Sequence, residues 1–144
     1  MFPHVEGAIA IAEAILPGKP SRPGEIDPRW QAIILVGTFI ESHPEVVCDF
    51  ALRWAKRRGR DLAAAIHCCL IEHLLEHHFE IVFPMMRRAS LDDLRVAEHF
   101  MPYSGHFQFG QATLPKNVSR LKRLARELER KHRLKRGATS RVGK

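Results

Sequence analysis

Asp61 to Glu80 reads D-L-A-A-A-I-H-C-C-L-I-E-H-L-L-E-H-H-F-E, and it holds four of the nine histidines and two of the three cysteines. At about 100° per residue the stretch sorts into two faces. Ala63, Ala64, Leu70, Ile71, Leu74, Leu75 and Phe79 cover a wide apolar arc, with His67 and His78 inside it. Cys69, Glu72, His73, Glu76 and His77 fall opposite. An arc that wide predicts a helix enclosed by neighbours rather than one resting on a single core. Asp61 suits the N-cap, and Gly59 before it suits the end of a preceding helix.

Upstream, residues 4–16 predict a short helix with Ile9, Ile11, Ala14 and Ile15 as its apolar residues. Residues 16–28, L-P-G-K-P-S-R-P-G-E-I-D-P, are too rich in proline and glycine to continue it. Asp27 before Pro28 marks the next helix start. Trp30, Ile33, Ile34, Gly37 and Ile40 share a face of that helix. Ser42-His43-Pro44-Glu45 reads as a capping box, and Val47, Phe50, Ala51 and Trp54 stripe the helix it opens. Downstream, Ser90 to Asp93 reads as a helix start, with Leu94, Val96, Ala97 and Phe100 apolar. Residues 101–115, M-P-Y-S-G-H-F-Q-F-G-Q-A-T-L-P, read as an irregular aromatic connection. Asn117 is the expected cap of a last helix striped by Val118, Leu121, Leu124, Ala125 and Leu128. One domain over 1–136 is expected, followed by a disordered basic tail over 137–144.

An internal match at an offset of 35 ties these pieces together. I-L-V-G-T-F-I-E-S-H-P-E-V-V (34–47) lies over C-L-I-E-H-L-L-E-H-H-F-E-I-V (69–82), with Glu41, His43 and Glu45 matching Glu76, His78 and Glu80. Such a period is the mark of stacked helix-turn-helix units that cannot bury their apolar faces alone. In apolar pattern, period and turn placement the chain resembles HEAT-like helical-repeat proteins, with units at about 28–58 and 61–89. Its H-L-L-E-H-H-F stretch is also similar to one found in bacterial helical proteins, a likeness that implies no activity. The resemblance implies an all-α fold, a short stack of about two hairpins with flanking helices as caps.

Composition bounds the function classes. With 144 residues, 45% hydrophobic and 27% charged, the chain fits one soluble globular domain. No apolar run nears the roughly 20 residues of a membrane span. The first residues carry Glu6 and Glu13 and no basic cluster, so a signal peptide is not expected. Three cysteines, two adjacent, suit reduced thiols and a cytoplasmic setting. The net charge of +7 is uneven: residues 116–144 carry 12 Lys/Arg against two Glu, and the remainder is mildly acidic.

Three constellations are candidate sites. His73-Leu74-Leu75-Glu76-His77 fits H-x-x-E-H, in which two helical histidines hold zinc and the glutamate serves as base, and Cys69 would complete a three-point site. Against this, Glu76 and His78 sit at the repeat positions of Glu41 and His43, as expected for the polar outer face and end of a hairpin helix. His67, His78 and the cysteines read as core residues. The last helix offers Arg120, Lys122, Arg123, Arg126, Arg130, Lys131 and Arg133 to phosphates. No base-reading motif accompanies them. Phe100, Tyr103, His106, Phe107 and Phe109 either plug the core or form a binding loop. The leading expectation is a non-catalytic protein-binding module, an adaptor, inhibitor or immunity-type protein, using a helical surface and that loop. The alternatives are electrostatic RNA or DNA binding by the basic helix and a zinc-dependent hydrolase.

Overall fold

A computed structural model describes residues 4–57, 60–101, 107 and 109–142, with backbone alone for residues 60 and 134–142. The described residues are helical and irregular, without a strand, so the all-α expectation holds. Among the described residues seven α-helices follow in order: α1 Val5–Ile15, α2 Pro28–Gly37, α3 Pro44–Ala55, α4 Arg60–Ile66, α5 Glu72–Asp92, α6 Leu94–Ala97 and α7 Pro115–Val142. A π-helical turn, His67–Ile71, joins α4 to α5, and a 3-10 turn, Gln111–Thr113, precedes α7. Helix α1 packs on α2, while α3, α6, α7 and the 3-10 turn all pack on α5. The histidine-rich rod is therefore central, as its wide apolar arc requires. No helix of the described residues is long and apolar enough to cross a membrane.

The rod is not the single regular helix that the sequence suggests. In a π turn one extra residue enters the helix, and the apolar face slips by one position there. Ala65 and Ile66 are buried ahead of it, and Leu70, Ile71, Leu74 and Leu75 after it. Ala64, expected inside, is exposed, and Ala63 is half-buried. Helix α2 runs close to this turn at Gly37, where a methyl group would touch the Cys69 carbonyl oxygen and the Leu70 side chain at 3.4 Å.

A second interruption lies at His78, whose φ of −138° and ψ of 42° break α5 into two arms. His43, the N-cap of α3, has φ −138° and ψ 59°. The offset of 35 thus pairs two helix junctions of nearly the same backbone shape. Both are followed by a helix with its buried residues in matching places, Val47, Cys48 and Ala51 against Val82, Phe83 and Met86.

Several local expectations are corrected. In α1 the core residues are Val5, Ala8, Ala12 and Leu16, and Ile11 points out, because α2 covers the opposite side. Ile34 is exposed, while Ala32, Ile33 and Val36 turn inward. His43 rather than Ser42 is the cap position of α3, since Pro44 fixes the first helical residue; no capping box forms. Asp61 lies inside the first turn of α4 and bonds Arg29, which is buried and also bonds the N-cap Asp27 at 2.8 Å. Arg29 holds the carboxyls of both aspartates below the usual carboxylate range. Ser90 belongs to α5, and Asp93 caps α6 through the Arg95 and Val96 amides. Asn117 lies within α7, buried, and donates to the Gln111 carbonyl at 2.8 Å. Helical backbone continues to Val142, beyond the end expected at 136.

Candidate functional site

The interruption at His78 creates an environment that a regular helix lacks. Breaking the helix there leaves backbone groups of its flanks without partners in the rod, and a buried amide must find another acceptor. The Phe79 amide donates to Gln111 Oε1 at 2.8 Å. Gln111 is placed by the 3-10 turn, which lies against the rod because its leading residue is glycine. Gly110 has φ 76° and ψ −159°, and a Cβ there would collide with the Glu76 carbonyl oxygen. Asn117 locks the start of α7 onto the same turn. The segment before α7 thus forms a cover over the end of the first arm of α5.

Under that cover, Glu76 is only 5% exposed, although the sequence placed it on the polar outer face. Its Oε2 is buried without a hydrogen-bond partner. Burial pushes the Glu76 carboxyl above its usual range; the nearby His73 charge opposes this and Glu72 adds to it. His73 and His77, both exposed, stand beside it with their rings stacked at 6.4 Å. His73 Nδ1 lies 4.0 Å from Glu76 Oε2. One ligand atom from each of His73, Glu76 and His77 falls within 4.8 Å of the others, because positions i, i+3 and i+4 share one face of a helix. Cys69 does not join this cluster. It sits within the π turn, out of register with the regular helix of α5, and burial raises its thiol above the ordinary value, which disfavours the thiolate that a metal needs. The ring of Phe109 closes one side, 6.4 Å from His77.

The aromatic segment divides. Phe100 is part of the core and Phe107 packs partly buried against it, so neither is a free contact residue. Phe109 is 52% exposed. Tyr103 and His106 lie outside the described residues.

The basic helix divides too. Its stripe of Leu121, Leu124, Ala125 and Leu128 is buried, and His132 Nε2 meets the Ser90 carbonyl oxygen at 3.0 Å. Arg120 is not part of an open face. It lies over the rings of Phe79 and Phe83 at 5.2 and 4.9 Å and bonds Glu80 at 2.9 Å, which makes it a clamp between α7 and α5. Lys131 is half-buried on the groove lined by Phe83, Arg87, Arg88 and Leu91. Lys122, Arg123, Arg126, Arg130 and Arg133 are exposed and line one open groove with Ser119 and Glu129. Glu129 is the acidic residue lining that groove, and its carboxylate lies 4.0 Å from Arg133.

Sequence reasoning missed a histidine pair. His67 and His99 stack at 5.4 Å, with their Nδ1 atoms 3.2 Å apart. Burial, and then the neighbouring His67, push His99 down to about 4. The separation of 32 positions between the two left no local signal for the contact. Compared with protein-family models, with curated proteins and with solved structures, the chain matches none.

Proposed function

We propose that this protein is a non-catalytic binding module that holds nucleic-acid phosphates along the exposed face of α7. The observation that supports this most is the row Lys122, Arg123, Arg126, Arg130 and Arg133 on one open groove, with Glu129 as its acidic member. At 1.5 Å per residue the row is about 16 Å long. One strand of a duplex carries a phosphate about every 3.4 Å of helix axis, so about five steps fall within the length of the row of cations. The Leu stripe fixes the helix on α5, leaving the opposite face to a partner. Contact with phosphates alone carries no sequence information, so the reading is of shape- and charge-dependent binding to RNA or DNA.

The test is the salt dependence of binding to a short labelled duplex. Five phosphate contacts give a slope of log K against log salt of about −4.5. The triple variant Lys122→Ala, Arg126→Ala, Arg130→Ala reduces that slope by about 2.7. Arg53→Ala, which removes a cation already paired with Glu13 and Asp49, serves as the control and leaves the slope alone. An unchanged slope in the triple variant removes the reading. Weak duplex binding beside tight, salt-sensitive capture of an acidic protein would move the surface to a protein partner.

A further inference from the structure

We infer that His73, Glu76 and His77 form a binding site for a single divalent transition-metal ion of the zinc class. This goes beyond the phosphate-binding reading and shares no residue with it. Two independent observations converge. The first is geometric: two imidazoles and a carboxylate, spaced i, i+3, i+4 in the first arm of α5, bring three ligand atoms within 4.8 Å of one another. The second is the orphaned oxygen. Glu76 is 95% buried by its 5% exposure, yet its Oε2 has no hydrogen-bond partner. A buried carboxylate oxygen without a partner is costly, and a cation among its neighbours removes that cost.

The donor set selects the ion. Imidazole nitrogen and carboxylate oxygen suit zinc and its first-row neighbours, while calcium and magnesium prefer all-oxygen shells. Ligand atoms about 2.1 Å from zinc lie about 3.4 Å apart. The spread of 4.8 Å closes by rotation of the His73 and His77 rings, both of which are exposed. Glu76 is the fixed point. The cover at Gly110 holds its backbone and burial holds its side chain, so two exposed rings close on one enclosed oxygen. Three ligands on one face leave coordination open toward solvent and Phe109, for water or a donor from a partner. The glutamate is accordingly a ligand here rather than the free base of a hydrolase, and no hydrolytic step follows from the arrangement.

The experiment uses the full chain without a histidine tag, stripped with chelator and titrated with zinc in a calorimeter, and with cobalt followed by its visible absorption. One equivalent binds to the unaltered protein, and cobalt shows the bands of a low-coordinate site with nitrogen and oxygen donors. His73→Ala, at an exposed position that the fold does not need, weakens zinc by at least about tenfold, since loss of even an outer-shell partner costs that much. Glu76→Gln keeps the side-chain shape and does the same. The double variant Cys68→Ser, Cys69→Ser binds as the parent does, and so does His43→Ala at the matching junction of the first unit. The inference is overturned if the parent takes up no zinc, if His73→Ala binds as tightly as the parent, or if the cysteine variant loses the ion. None of these results touches the salt slope of α7, so the two readings fail separately.

Discussion

The junctions at His43 and His78 have nearly the same backbone and opposite surroundings. At the first, Thr38 donates to the Leu35 carbonyl at 2.6 Å, Ser42 meets His43 Nδ1 at 2.8 Å, and Glu41 is exposed to water. At the second, the corresponding residues are His73, His77 and Glu76, and the glutamate is enclosed. The difference is made by the chain that crosses the second junction, Gly110 and Gln111. A polar turn of ordinary design becomes a site when another segment removes its solvent. The chemistry of the second junction is therefore shared between α5, which supplies the side chains, and the turn before α7, which supplies their environment.

The comparison breaks most severely at Gly110. Gly110→Ala puts a methyl into the Glu76 carbonyl and a side chain into a backbone region that glycine alone occupies comfortably. Together these cost roughly 3–5 kcal/mol of unfolding free energy by chemical denaturation. Gly24, also at positive φ (86°) but with open space around it, gives only the backbone part, about 1–2 kcal/mol for Gly24→Ala. Equal losses at the two glycines would mean that the cover does not press on the second junction.

A second contrast is acid sensitivity. Ala32 is buried among apolar residues, whereas His67, 35 positions on, faces His99. The folded-state value of His99, about 4, lies below its unfolded value of about 6.5. Its contribution is then whole above about pH 6.5, erodes as the pH falls and is gone below about 4, on the order of 3 kcal/mol in all. Glu76 works in the opposite sense, because a raised carboxyl value favours the folded state as protons are added. The difference between the parent and His99→Gln isolates the histidine: the variant flattens the stability profile between pH 6.5 and 4. A parallel profile would remove His99 as the source.

The smallest effect sharpens the comparison most. Gln111→Ala leaves the Phe79 amide without its acceptor at the break and costs about 1 kcal/mol, as loss of a helix cap does. At the first junction Pro44 has no amide to satisfy, so no such dependence exists there. Hydrogen exchange at Phe79 in the variant reads this directly, rising at that amide ahead of its neighbours in the second arm.

Much of this was legible and some was not, for physical reasons. The helical class, the start at Asp27-Pro28, the Val47–Trp54 stripe and the Leu stripe of α7 follow from side-chain periodicity, which packing obeys. The pairing of His43 with His78 was readable because like junctions need like residues. The slip at the π turn was hidden by Ala63, Ala64 and Ala65, which fit either face, although the spacing from Ile66 to Leu70 and Ile71 carries it. The burial of Glu76 was not readable from its own helix. It depends on Gly110, 34 positions away, and a carboxylate whose i−4 and i+4 neighbours are Glu72 and Glu80 gives no sign of what crosses it. The same holds for Arg120, whose partners Phe79 and Phe83 lie about 40 positions upstream.

The wide turn at His67–Ile71 gives the chain a spare register. Losing one residue from the middle of a regular helix rotates one half against the other by about 100° and turns a core face toward water. Here the extra residue is already accommodated, and Cys68 is exposed as the second residue of the turn. A deletion at that position converts the turn to ordinary helix while both flanking apolar faces keep their heading. The central rod of this molecule can thus shorten by one codon without reorganising the elements packed around it.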